Sequence, residues 1–162
     1  NFINVIGAST LDCSEYAAQK LGYSYEAVNI LSCDKGISAP ADFSPSLDEV
    51  YEILCLGQDG DISMPERTAF IADLSHRIRH ETAVACVYKS TVCVAPYVTD
   101  FGALICGVSA GQNRGSGFAG MSVLATVKQL SLPCFVFCSD TVLGFYKKFG
   151  FSLWGKNAKI VF

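Results

Sequence analysis

Apolar and polar positions along this chain follow blocks of changing period, and the changes mark its elements. The opening FINVIGAS is apolar and reads as a strand. The run from about Thr10 to Leu21 has helical spacing and ends at Gly22, a residue suited to the left-handed position after a helix. Tyr23 to Cys33 reads as extended. The stretch DKGISAPADFSPS, with Pro40 and Pro45 among Ser, Asp and Gly, breaks the pattern and predicts a loop or linker. Leu47 to Leu56 is spaced as a short helix, and GQDGD interrupts it. Pro65 then opens a longer helix on which Phe70, Ile71, Leu74 and Ile78 form an apolar stripe.

Three strands follow in meander order, Thr82 to Lys89, Thr91 to Val98 and Gly102 to Ser109, rich in Val, Cys, Tyr and Ile. Pro96 has no N–H to give a ladder, so the second strand should bulge or lie at an edge there. After QNRGSG comes a helix with Ala119, Val123, Val127 and Leu130 on its buried face and Thr126, Lys128 and Gln129 as its polar positions. Pro133 precedes a strand, CFVFCS. A short helix then runs to Phe149, Gly150 caps it, and a closing strand or hairpin ends the chain. Helices, antiparallel strands and one β-α-β passage make an α/β domain.

Composition narrows the function. With 162 residues, 51% hydrophobic and 17% charged, the chain can bury one proper core. A formal charge of −3 and no run of Lys or Arg leave no footprint for nucleic acid. No apolar run approaches the ~18 residues that span a bilayer, and the first residues lack a cationic signal region. These features read as a soluble, cytoplasmic protein without a membrane partner, and an oligomer is compatible with them. The eight cysteines are scattered through apolar runs with no C-x-x-C pair and read as free, buried, small hydrophobes. No metal site is expected, because His76 and His80, the only histidines, have no cysteine or acidic ligand at suitable spacing.

The candidate chemistry lies in GQNRGSGFAG, from Gly111 to Gly120, where two phosphate-binding signatures overlap. GSGFAG satisfies the dinucleotide fingerprint G-x-G-x-x-G, and Asp140 stands where a ribose-binding acid would be sought. Against that reading, a polar turn with Arg114 separates the strand from Gly115. Only 22 residues remain after Asp140, too few for a doubly wound sheet, and a β meander lies upstream. QNRGSG, from Gln112, satisfies the alternative Q/R-x-x-G-x-G/A of acetyl-CoA-dependent N-acetyltransferases. Gly115 and Gly117 let the backbone turn sharply and approach phosphates, and the N–H groups opening the next helix present donors and a positive dipole end. Arg114 is either a charge-assisted contact or a solvated loop residue.

A second motif agrees with the first. Phe145 to Phe151 reads FYKKFGF, similar to the F-Y-x-x-x-G-F that follows the fifth strand in the GCN5-related N-acetyltransferase (GNAT) family. From about Leu47 onward the chain resembles that family. The resemblance implies a mixed, mostly antiparallel, twisted sheet flanked by helices and splayed at the cofactor site. It implies acetyl-CoA as acetyl donor, direct attack by a primary amine of a small molecule or peptide, and Tyr146 as general acid. The cofactor would lie against Val108, Gln112, Asn113, Arg114, Gly115, Ser116, Gly117, Phe118 and Ser139. The alternative is a GNAT-fold module that binds CoA or a partner without turnover, with Tyr146 as a core aromatic.

The family pattern is not complete. VSAGQNRG is one residue short and lacks a proline, and Ser139 stands where many relatives carry Asn, so one hydroxyl replaces a two-ended amide. Asp100, Glu66 and Glu81 are candidate general bases, each with an ordinary surface reading. In DLSHRIRHE, Asp73 faces Arg77 and His76 faces His80 at helical spacing, which describes a solvated ion-paired face. The resemblance instead sets this helix over an acceptor pocket, with Arg77, Arg79 or a histidine lining it and His76 as a proton relay. SEYAAQKLGYS, from Ser14 to Ser24, echoes GFYKKFGFS, from Gly144 to Ser152. The expected organisation is therefore an acetyltransferase domain over residues 39–162 and a partial segment over 1–38, the tail of a degenerate second unit.

Overall fold

The computed structural model describes residues 10–57 and 64–161; the FINVIGAS strand and most of GQDGD lie outside the described residues. In chain order the elements begin with β1 (Thr10–Cys13), α1 (Glu15–Leu21), β2 (Tyr25–Cys33), α2 (Leu47–Leu56) and α3 (Arg67–Arg79). The meander is β3 (Val84–Tyr88), β4 (Thr91–Ala95), β5 (Tyr97–Thr99), β6 (Gly102–Ile105) and β7 (Gly107–Ser109). Last come α4 (Phe118–Leu130), β8 (Cys134–Cys138), α5 (Asp140–Lys148) and β9 (Ser152–Val161). They form two compact units, one of residues up to Ser32 and from Phe137 onward, the other of Cys33–Val136.

In the first unit β9 lies between β1 and β2 and is antiparallel to both, so that Ile160 faces Leu11 on one side and Tyr25 on the other. Thr10–Cys13, expected to open a helix, is strand instead, because β9 supplies a partner along its whole length. The helix starts only after Ser14, whose hydroxyl accepts from Ala17 N at 3.2 Å. Gly22 ends it at φ 73°. β9 is one long strand rather than a hairpin, and Ala158 and Ile160 pack with Ala18 beneath α1.

The second unit holds the larger core. Val50, Ile53 and Leu54 of α2 and Leu74 of α3 pack on Ala85, Val87, Val92 and Val94, with Phe70 and Ile78 at the rim. Pro65 precedes α3 without entering it; Glu66 is the N-cap. β3, β4 and β7 pair antiparallel, β5 pairs β6, and β6 runs parallel to β8. The second and third strands of the meander are each interrupted, at Pro96 and at Cys106. The halves nonetheless keep one register, from Val92↔Ser109 to Thr99↔Gly102. The missing N–H of Pro96 accounts for the first break, and β5 lies at a sheet edge, as expected.

α4 packs on β3 and β4 with Ala119, Val123 and Val127 buried. Thr126, expected on its polar face, is fully buried too, because its hydroxyl donates to Ser122 O at 2.9 Å and needs no water. Cys33, Cys86, Cys93, Cys134 and Cys138 are buried free thiols, but Cys55 and Cys106 are exposed, the first on the outer side of α2 and the second at the strand break. The architecture is α/β, with mixed, mostly antiparallel sheets flanked by helices.

Candidate functional site

The glycine loop leaves β7 at Ser109, which is buried and makes two hydrogen bonds. Its hydroxyl donates to Ile53 O at 2.6 Å and accepts from Gly111 N at 3.0 Å. Ile53 lies in the last turn of α2, where carbonyls lack helical partners, so Ser109 completes that helix and fixes the start of the loop together. Gly57 is glycine for the same reason, since a Cβ there would collide with Ser109 Oγ. Sequence reasoning missed Ser109; its only signal was a small hydroxyl at an inward position of an apolar strand.

The loop is then folded by its own polar groups. Asn113 N donates to Ala110 O at 2.8 Å, and Asn113 Nδ2 to Lys89 O at 3.0 Å. Ser116 Oγ donates to Asn113 O at 2.7 Å and accepts from Phe118 N at 3.2 Å. Gly115 and Gly117 adopt φ of 79° and 80°, the left-handed region, and a Cβ at either would meet none of the described residues within 4 Å. Their conformation demands glycine, while the space in front of them is open. Gly117 is the N-cap of α4. The N–H groups of Gly115, Gly117, Ala119 and Gly120 find no acceptor among the described residues. Four such donors at the positive end of a helix are suited to an anion.

Around the loop, Gln112 and Arg114 are exposed, and an Arg114 guanidinium nitrogen lies 3.5 Å from Gly57 O. The Phe118 ring meets Tyr88 edge-on at 5.9 Å, and Lys89 Nζ stands 4.6 Å from its centroid. Lys89 and Ser90, at φ 47° and 56°, form a two-residue turn that non-glycine residues adopt only under strain. Val108 pairs with Cys93. The parallel ladder of β6 with β8 ends at Ile105↔Val136, and β7 is the edge of its own sheet.

Ser139 and Tyr146 belong to the first unit, the one at the N-cap of α5 and the other on it. Ser139 is the extended residue before the helix, its Oγ 2.6 Å from Thr141 Oγ1. The neighbouring Asp140 accepts from Asn29 Nδ2 at 2.8 Å. Tyr146 is 8% exposed, with ring centroids 5.0 Å from Phe145 and 5.4 Å from Phe151. Its carbonyl accepts from Phe149 N and Phe151 N, closing the helix. The structure thus groups Val108 with Gln112 to Phe118 in one unit, and Ser139 with Tyr146 in the other.

Of the carboxylates considered as bases, Glu66 accepts from Thr68 N and Ala69 N, and these bonds hold its carboxyl below the usual range. It is a capping residue. Asp100 and Glu81 are exposed in turns. On α3, Arg77 pairs with Asp73 at 2.8 Å and covers the Tyr97 ring at 4.9 Å, and the exposed His76 and His80 rings lie 4.4 Å apart. Arg79 instead lines an open groove of about 420 Å³ with Asp48, Arg67, Thr68 and Ser75.

Comparison with solved structures decides the fold. A GCN5-related N-acetyltransferase from Sphaerobacter thermophilus aligns at TM-score 0.60 and 12% identity, over 93% of this chain and 58% of its own. A GNAT acetyltransferase from Colwellia psychrerythraea aligns at 0.63 and 12%, over 94% and 64%. This chain has the GNAT fold. A tandem GNAT protein from the clavulanic acid biosynthesis pathway aligns at 0.55 and 12%, over 93% and 61%. The chain therefore spans 58% to 64% of the length of these GNAT proteins. No family model matches the sequence, and no curated protein matches it. Among the described residues no helix is long and apolar enough to cross a membrane.

Proposed function

We propose that this GNAT-fold protein is an acyl-CoA-dependent N-acetyltransferase that moves an acetyl group from acetyl-CoA to a primary amine by direct attack. The observation that carries the reading is the loop at the start of α4: two left-handed glycines with open space before them and four N–H groups without acceptors, among the described residues. That donor set fits a pyrophosphate, so the residues present fit the cofactor. Acetyl-CoA, when bound, supplies the acetyl thioester.

The chain's own residues have the following roles. Gly115, Gly117, Ala119 and Gly120 give backbone donors to phosphate, and Arg114 adds a positive charge beside them. Gln112, Asn113, Ser116 and Phe118 shape the loop, Val108 offers the free backbone edge of β7 to the pantetheine arm, and Ser139 gives that arm one hydroxyl. Tyr146 offers its phenolic O–H to the departing sulfur, first as a hydrogen bond and then as the proton that leaves CoA as the free thiol. The acceptor is a small-molecule or peptide amine, and the reaction is read as cytoplasmic. Residues 39–162 form the acetyltransferase domain. Residues 1–38 are read as the tail of a second GNAT-like unit, in keeping with a relative that is a tandem GNAT protein.

The burial of Tyr146 against Phe145 and Phe151 favours one other reading, a module that binds CoA or a partner without turnover. Calorimetry with acetyl-CoA, CoA and NADH, followed by CoA thiol release over a mixed amine panel, tests both. Binding of both CoA species with thiol release that depends on one amine is the expected result. Binding without release selects the module, and NADH binding alone overturns both.

A further inference from the structure

The β1-α1-β2 passage repeats the β8-α5-β9 passage in detail. Cys13-Ser14-Glu15 at the end of β1 matches Cys138-Ser139-Asp140 at the end of β8. Each serine is the extended residue before its helix, Ser14 at φ −67°, ψ 148° and Ser139 at φ −73°, ψ 166°. Each helix begins on the acid and carries Lys in its last turn. Each is followed by a left-handed glycine, Gly22 at φ 73° and Gly150 at φ 85°, then by an aromatic residue and a serine. The departures in length are small: α5 is longer by less than one turn, and β8 and β9 are slightly longer than β1 and β2.

Strand order gives independent support. Along the first unit it runs β1-β9-β2 and then the end of β8, Phe137 and Cys138. Exchanging β1 with β8 and β2 with β9 returns the same order read backwards. The central β2 and β9 pair antiparallel, as a twofold relation requires. Each passage therefore holds the last strand of the other between its own two strands. A short sequence echo arises easily by chance, but an echo combined with a palindromic sheet does not.

We infer that residues 10–33 are the closing β-α-β passage of a second GNAT-like half, strand-exchanged with the first, and that the outer edge of β1 takes a parallel strand from the body of that half, carried on the same polypeptide. The inference rests on the tandem reading above and goes beyond it by specifying the exchange and the contact. Continuity of the sheet supplies the contact: β8 has β6 as a parallel neighbour, Ala103↔Cys134 to Ile105↔Val136, and the twofold relation calls for the same neighbour beside β1. Aligned on the two capping glycines, Ala18, fully buried, stands in the place of Tyr146. The exchanged passage thus completes the second half's sheet without giving it an acid, and one catalytic centre serves two halves.

Hydrogen exchange tests this without acetyl-CoA, so its failure leaves the acetyltransferase reading untouched. The polypeptide encoded by the whole reading frame is compared with the 162-residue chain, following Thr10–Cys13 with Thr91–Ala95 as the internal reference. The expected result is a second meander, glycine loop and helix encoded ahead of Asn1, and β1 amides slowed at least ~100-fold in the longer protein while β4 exchanges alike in both. Three results would overturn the inference: no such half in the reading frame, β1 exchange equal in the two proteins, or slowing that the 162-residue chain reproduces by dimerising, seen as doubled mass in sedimentation.

Discussion

Gly117 is the residue at which a side chain should cost most for binding and little for folding. Its φ of 80° penalises any β-carbon by roughly 1–2 kcal/mol, yet none of the described residues lies within 4 Å of where that carbon would be. Gly117→Val should therefore leave the circular dichroism spectrum intact while weakening acetyl-CoA binding ~100-fold or more in calorimetry. Unchanged affinity in the folded variant would mean that the cofactor lies elsewhere. The glycines were legible in the sequence because a left-handed backbone leaves few residue choices. Ser109 and Lys89 were not, because what makes them matter is a carbonyl 56 positions away in one case and a ring on another element in the other.

At the scale of elements, the hydroxyl of Ser109 ties β7 to α2. Ser109→Ala leaves Ile53 O and Gly111 N without their partner in a buried place, which should cost about 1–3 kcal/mol and lower Tm by several degrees. Acetyl-CoA affinity should fall with it, since the loop is anchored there. A Tm within one degree of the parent would show that water replaces the bond. The helices Leu47–Leu56 and Phe118–Leu130 were readable from local period, and so was the break at Pro96, which is written in a missing N–H. Thr10–Cys13 was misread because its strand character comes from β9, nearly the whole chain away. Thr126 was misread because a hydroxyl that bonds within its own helix behaves as an apolar group.

For the molecule as a whole, the cysteines report on where the core sits. Burial pushes the Cys86 thiol up to about 11 and the Cys134 thiol up to about 12, and raises Cys93 further. Thiolate reacts and thiol does not, so at pH 7.5 these three should resist iodoacetamide until the protein unfolds, while Cys55, exposed on the outer side of α2, is reached first. Rapid modification of Cys93 in the native protein, mapped by mass spectrometry, would contradict the packing of α4 on β3 and β4. The two-part signature QNRGSG and FYKKFGF is local in sequence and points to the fold by itself. The exchanged strands of the first unit were only hinted at, because an echo in sequence carries no information about which strand pairs with which.

The proposed transfer of acetyl groups uses Tyr146 as its acid, and Tyr146→Phe removes that function alone. Phenylalanine keeps the ring that packs on Phe145 and Phe151 and removes one oxygen. With the amine identified by thiol release, the variant should bind acetyl-CoA as the parent does and lose ~10²-fold or more in kcat. Turnover unchanged, or turnover and affinity lost in equal measure, would return Tyr146 to the core and contradict the assignment.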